Sequence, residues 1–139
     1  MKVLSDIQIG YLAGIIDGEG FITLTKSPDR QMQPRVGISN TDLDLMNTIA
    51  DWVGDANILR ESKGSNRQKD AFRIQWQGRA KILEILEFIE PYLIVKKAHA
   101  QLVIAWIKFR MNGYSEIDLG NGYINGIRVL NMKGKKEML

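Results

Sequence analysis

Apolar residues recur along this chain at two alternating periods, and each change of period marks a new element. Residues 5–17 carry helical spacing: Ile9, Leu12 and Ile16 make one apolar stripe, and Gly10, Ala13, Gly14 and Asp17 fall on another face at i, i+3, i+4 and i+7. Ser5 or Asp6 is placed to cap this helix, and Gly18 and Gly20 to end it. The period then falls to two over residues 21–27. Ile22 and Leu24 lie on one side and Thr23, Thr25 and Ser27 on the other, the pattern of a half-buried strand. After the polar turn SPDRQMQP, a strand over 33–39 sets Met32, Pro34, Val36 and Ile38 toward the core and Gln33, Arg35, Gly37 and Ser39 away from it.

Helical spacing returns at Leu45, Met46, Ile49, Trp52 and Val53, with Thr41 or Ser39 as cap, Asp42 and Asp44 in the first turn, and Gly54 as stop. Strands over 56–61 and 71–77 flank the polar loop SKGSNRQKD, and Phe72, Ile74 and Trp76 alternate with Arg73, Gln75 and Gln77. Helices follow over 79–89 and from about Lys96 to Met111, the latter with Leu102, Val103, Trp106 and Phe109 inward. Residues 112–123 read as a glycine-rich loop, 124–132 as a short helix, and KGKKE as a solvated tail. The expected order is α-β-β-α-β-β-α-α-α, an α+β fold in which Trp52, Trp76 and Trp106 belong to the core.

Composition narrows the class. The chain has 139 residues, 45% apolar and 25% charged, which suits one domain with a real core. It has no apolar run of bilayer length and its first residues lack a signal-peptide pattern, so the expectation is an intracellular, cytoplasmic protein without a membrane partner. Cysteine is absent, which excludes disulfides and thiolate metal sites, and the single histidine, His99, excludes a histidine cage within one protomer and reads as a surface helix residue. Net charge is +3, and its distribution matters more than its size. Residues 26–41 and 56–79 hold nine Lys or Arg (Lys26, Arg30, Arg35, Arg60, Lys63, Arg67, Lys69, Arg73, Arg79) against three acids (Asp29, Glu61, Asp70). A basic sheet suits a polyanion rather than a small-molecule substrate, although a solvated surface accounts for any one of these charges.

The stretch Leu12-Ala13-Gly14-Ile15-Ile16-Asp17-Gly18-Glu19-Gly20 ends a helix in two acids. That end of a helix carries partial negative charge and disfavours acids, so the pair calls for a cation, read here as a divalent ion at the helix mouth. The same stretch resembles the LAGLIDADG motif of homing endonucleases, with six of nine positions identical to the name-giving sequence. The element order is similar to that family's αββαββα domain, a four-stranded antiparallel saddle sheet backed by helices, over most of the chain. The segment PYLIVKKAHAQLVI is similar to the family's region in which a Lys precedes a packed helix.

The resemblance implies a site-specific endonuclease that hydrolyses phosphodiesters in a long near-palindromic duplex target. One motif per chain implies a homodimer, with Gly10, Ala13, Gly14 and Asp17 at the helix–helix interface. Glu19 is the expected metal ligand and catalytic acid, reaching one methylene further than the motif's Asp, and the Gly18 carbonyl is a second ligand. The expected ion is Mg2+, with Mn2+ as a substitute and Ca2+ binding without supporting cleavage. Lys96 is the basic partner, with Lys97 as fallback, and Asn40 would orient a water; an ordinary helix-start lysine and a helix-capping asparagine are the competing readings.

Double-stranded DNA would meet the polar strand faces and their loops. Thr23, Thr25, Ser27, Gln33, Arg35, Arg60, Arg73 and Gln75 are candidates for base edges, and Lys26, Arg30, Lys63, Asn66, Arg67 and Lys69 for phosphates. The alternative is a protein on the same scaffold that binds nucleic acid without cutting it, an RNA-splicing maturase or a DNA-binding regulator. Retention of Glu19 and Lys96 favours the enzyme.

Overall fold

The computed structural model describes residues 3–28, 31–61, 70–113 and 117–137, with the backbone alone for 117–121 and 133–137. Its order is α1 (Asp6–Glu19), β1 (Gly20–Lys26), β2 (Met32–Asn40), α2 (Leu43–Val53), β3 (Asn57–Glu61), β4 (Ala71–Gln77), α3 (Arg79–Ile89), a 3-10 turn (Glu90–Tyr92), α4 (Lys97–Met111) and α5 (Ile117–Glu137). The four strands form one antiparallel sheet in the order β1-β2-β4-β3, so the α+β expectation holds.

The register sorts the strand residues onto two faces. Ile22, Leu24, Val36, Ile38, Ile74 and Trp76 share one face and are buried against Leu12 and Ile16 of α1, Met46 and Ile49 of α2, Ile82 and Ile85 of α3, and Val103 and Ile107 of α4. Leu12 and Ile16 are fully buried, each stabilising the fold by about 1.5–3 kcal/mol relative to exposure. The buried Trp76 indole donates to the Gly54 carbonyl at 2.9 Å, and Lys81 Nζ donates to the Val53 carbonyl at 2.8 Å, a cation where the α2 dipole favours one.

Several boundaries differ from the sequence expectation. Ser5 does cap α1, in a reciprocal capping box with Gln8. The helix runs on through Gly18 to Glu19, so both acids lie in its last turn. Gly20 does not stop it by a left-handed turn; its φ is −100°. A Cβ at Gly20 would lie 2.7 Å from the Gly37 carbonyl and 2.8 Å from Ile16, so the glycine lets the helix end approach β2 closely. The cap of α2 is Asp42, not Thr41 or Ser39, its carboxylate accepting from Leu45 N at 3.0 Å.

The expected loop over 112–123 is largely helix, and the expected tail continues α5 to Glu137. Glycines in a helix cost about 1 kcal/mol each, the reason the segment reads as loop. Here burial of Ile124 and Ile127 offsets that cost, and Gly126 lets Leu102 of α4 come so close that a Cβ would meet it at 2.9 Å. His99 is half-buried and joins α4 to α5 through Asn131 at 2.9 Å, rather than standing alone on the surface. No helix among the described residues is long and apolar enough to cross a membrane.

Candidate nucleic-acid interface

Asp17 and Glu19 leave the end of α1 in different directions and have different partners. The Asp17 carboxylate accepts backbone N–H bonds from Ile94, Val95 and Lys96 at 3.0, 3.1 and 2.8 Å. These donors lead into α4, whose N-cap is Lys96. The Lys96 ammonium returns the contact, donating to the Asp17 carbonyl at 2.6 Å. The negative end of α1 is thus joined to the positive end of α4, the arrangement in which both dipoles favour the charges they meet. The cation that the sequence reading sought in a metal is supplied, for Asp17, by α4 and Lys96.

Both groups respond electrostatically. Partial burial pushes the Asp17 carboxyl up, but the three backbone donors and the Lys96 charge outweigh it and hold the group below its ordinary value. Burial pushes Lys96 down, and the Asp17 charge opposes that only in part.

Glu19 is exposed, and its Oε2 accepts from Asn40 Nδ2 at 2.7 Å. Asn40 ends β2, and its Oδ1 accepts from Asp42 N at 2.8 Å, fixing the amide so that its N–H is directed at Glu19. Asn40 therefore caps local backbone and holds the acid together. No group of three His, Cys, Asp or Glu able to hold a metal occurs among the described residues. The donor set at Glu19 is one exposed carboxylate beside the backbone of Gly18. That fits a hard, hydrated ion completed by water and phosphate oxygens and does not fit a closed protein cage.

Among the described residues, nothing covers the outer face of α1 at Gly10, Gly14 and Gly18, where no atom lies within 4 Å of a built Cβ; Ile7 is 84% exposed, and Tyr11 at the margin of this face packs edge-on against Trp52, ring centroids 5.7 Å apart. The structure places the four expected interface residues differently. Ala13 is turned inward and buried in its own core, and the Asp17 side chain is bonded to its own chain, so only Gly10 and Gly14 of the four remain on the open face. A shallow hollow lined by Gly10, Tyr11, Gly14, Ile15, Glu19, Asn40 and Leu45 runs from this face to the acid.

The second face of the sheet carries Phe21, Thr23, Thr25, Gln33, Arg35, Gly37, Ser39, Asn57, Leu59, Glu61, Ala71, Arg73, Gln75 and Gln77, by register. The expected Thr23, Thr25, Gln33, Arg35, Arg73 and Gln75 are all on it. Arg60 is not: it pairs with Phe72, on the helix-side face at the sheet edge, and bonds Asp70. Strand β3 alternates too weakly for its faces to be distinguished by sequence. Lys26 closes β1 opposite Met32, and Ser27 lies beyond the strand, its N–H and hydroxyl both donating to the Gln31 carbonyl at 2.8 and 2.9 Å. Arg30, Lys63, Asn66, Arg67 and Lys69 lie outside the described residues. Asn57, Glu61, Gln77 and Phe21 share this face by register without being among the expected contacts, and of these Gln77 was legible from its alternation with Trp76.

Arg35 donates to Gln33 Oε1 at 3.0 Å. Arg73 lies over the Phe21 ring, 5.5 Å from its centroid, a cation–π contact. The ring lies across Gly37, where a Cβ would approach it to 2.5 Å. Gly37→Ala is therefore expected to displace Phe21 and lower stability by about 1–3 kcal/mol. Urea unfolding would show this as a lower midpoint at unchanged slope.

No protein-family model matches the chain, and no curated protein matches it. Solved structures do. The homing endonuclease I-CvuI in complex with its target in the presence of calcium matches at 19% identity over 89% of this chain and 82% of that one, with a TM-score of 0.75. In an I-CvuI complex with magnesium and uncleaved DNA, 23% identity covers 73% of this chain and 66% of that one, with a TM-score of 0.63. The archaeal intron-encoded homing endonuclease I-Vdi141I complexed with DNA matches at 15% identity over 91% and 98%, with a TM-score of 0.65. The LAGLIDADG meganuclease I-AabMI bound to uncleaved DNA matches at 23% identity over 76% of this chain but only 37% of its own, with a TM-score of 0.62. At these identities the likeness is one of architecture: the chain has the fold of these homing endonucleases.

Proposed function

We propose that this protein is a divalent-metal-dependent, site-specific DNA endonuclease that acts as a homodimer. The observation that carries the reading is the corner where α1 ends: an exposed Glu19 oriented by Asn40, between a glycine face left open among the described residues and a polar sheet face. Fold alone does not fix function. What supports this one is that all three features belong to one helix end, and that the fold neighbours include endonucleases complexed with DNA.

A second copy of α1 on the glycine face would bring two Glu19 carboxylates together about a two-fold axis, matching the two antiparallel strands of a duplex. Glu19 and the Gly18 carbonyl would hold a Mg2+-like ion, which when bound neutralises phosphate charge and lowers the pKa of water. Asn40 sets the Glu19 rotamer. Lys96, whose ammonium is anchored on the carbonyl of Asp17 in the same helix turn as Glu19, would supply the positive charge. Thr23, Thr25, Gln33, Arg35, Arg73 and Gln75 would face base edges in the major groove.

The test is selection of duplexes from a randomised pool, followed by incubation of the selected duplex with magnesium. Cutting of both strands is expected. Binding without cutting under magnesium or manganese would instead favour a non-cleaving regulator. Gly14→Leu tests the dimer separately. It replaces a poor helix former at an open position, so the monomer should gain about 1 kcal/mol of stability. Sedimentation should then show loss of the dimer formed by the wild type.

A further inference from the structure

Among the described residues of the outer sheet face, Glu61 is the one acid. Its side chain is 28% exposed, and its Oε1 lies 2.9 Å from Arg73 Nε and accepts from the Ser39 hydroxyl at 3.3 Å. The Arg73 contact is an ion pair not aligned as a hydrogen bond, made through a buried Nε, while the Arg73 side chain as a whole is 44% exposed. Arg73 is braced from the other side by Phe21. Residues of all four strands thus fix an acceptor-only group beside a donor-only fork, at the end of the sheet nearest Glu19.

An acid on a surface meant for phosphates raises repulsion and weakens binding to every sequence. It gains a favourable contact only where the duplex offers a donor. In the major groove the donors are the amino groups of cytosine and adenine. The arginine fork needs two adjacent acceptors, which guanine offers at O6 and N7 and thymine does not. A G·C pair sets its amino donor beside its O6 acceptor at about 2.9 Å, the ordinary hydrogen-bond spacing and that of the Arg73–Glu61 contact.

We infer that Glu61 is a specificity-determining residue: it reads the amino group of a cytosine while Arg73 reads its guanine partner. This rests on the proposed binding of duplex DNA. The experiment is selection from a duplex pool with a randomised centre, at low ionic strength with calcium, for wild type, Glu61→Gln and Arg73→Lys. Wild type should enrich G·C at one symmetry-related pair of positions. Glu61→Gln should lose about ten-fold of the cytosine preference there while holding the unselected pool as tightly or more tightly. Arg73→Lys, which keeps the charge but loses the fork, should relax the same base pair. An unchanged base profile in both variants would overturn the inference, as would relaxation at every position together with weaker binding, the signature of a merely structural role. Failure of the wild type to bind any duplex would overturn the DNA reading itself.

Discussion

Replacing Glu19 with glutamine is expected to abolish cleavage while making the protein slightly more stable. The carboxylate sits in the last turn of α1, where the helix dipole disfavours negative charge. Removing that charge should stabilise the fold by about 0.3–1 kcal/mol. Glutamine keeps a side-chain oxygen for the Asn40 amide, so the corner should hold its shape. Duplex binding should persist, since one repulsive charge near phosphate is gone. The rate of strand cutting should fall by about a thousand-fold, the loss expected when several kcal/mol of charge stabilisation at the reacting phosphate are removed. Stability gained and activity lost together mark a residue kept for chemistry. Undiminished cutting by this variant would remove Glu19 from the mechanism.

Asp17→Ala should behave in the opposite sense. It leaves three backbone N–H groups at the start of α4 without their acceptor, and the Lys96 ammonium without its counter-charge. Hydrogen bonds to a charged group contribute about 1.5–3 kcal/mol, so a loss near the upper end is expected in urea unfolding. Asp17→Asn, which keeps an acceptor oxygen, should lose less. The pH dependence follows from the two shifts. The Asp17 carboxyl is held below its ordinary value of 3.8, so its contribution is complete above that pH and is lost as pH falls through the lower folded value. Lys96 is held below its ordinary 10.5; between its folded value and 10.5 the unfolded chain binds more protons, and stability rises with pH across that window. In Asp17→Ala the acidic part of this dependence should disappear.

Much of this was legible in the sequence because it depended on periodicity. The alternation of Ile22 and Leu24 with Thr23 and Thr25, and of Val36 and Ile38 with Arg35 and Gly37, fixed two strands and their faces. What was hidden depended on tertiary approach. Gly20 reads as a break because glycine usually punctuates helices, yet it lets the end of α1 come close to β2, and Gly126, inside an expected helix, lets α5 come close to Leu102. Ala13 and Gly14 are neighbours in the motif, and a turn of one residue sends the first into the core and leaves the second outside. The two acids lie only two residues apart at one helix end, and sequence reasoning assigns Glu19 to the ion and Asp17 to the helix interface. Only the arrival of α4, nearly eighty residues later in the chain, separates the structural acid from the exposed one.

The most direct measurement is a crystal structure of the protein with a selected duplex and calcium. Two protomers should meet through Gly10, Gly14 and Gly18 of α1, each placing Glu19 on a calcium ion against a backbone phosphate of one strand. Glu19 lying in bulk solvent, away from both the duplex and its symmetry-related copy, would contradict the proposed chemistry.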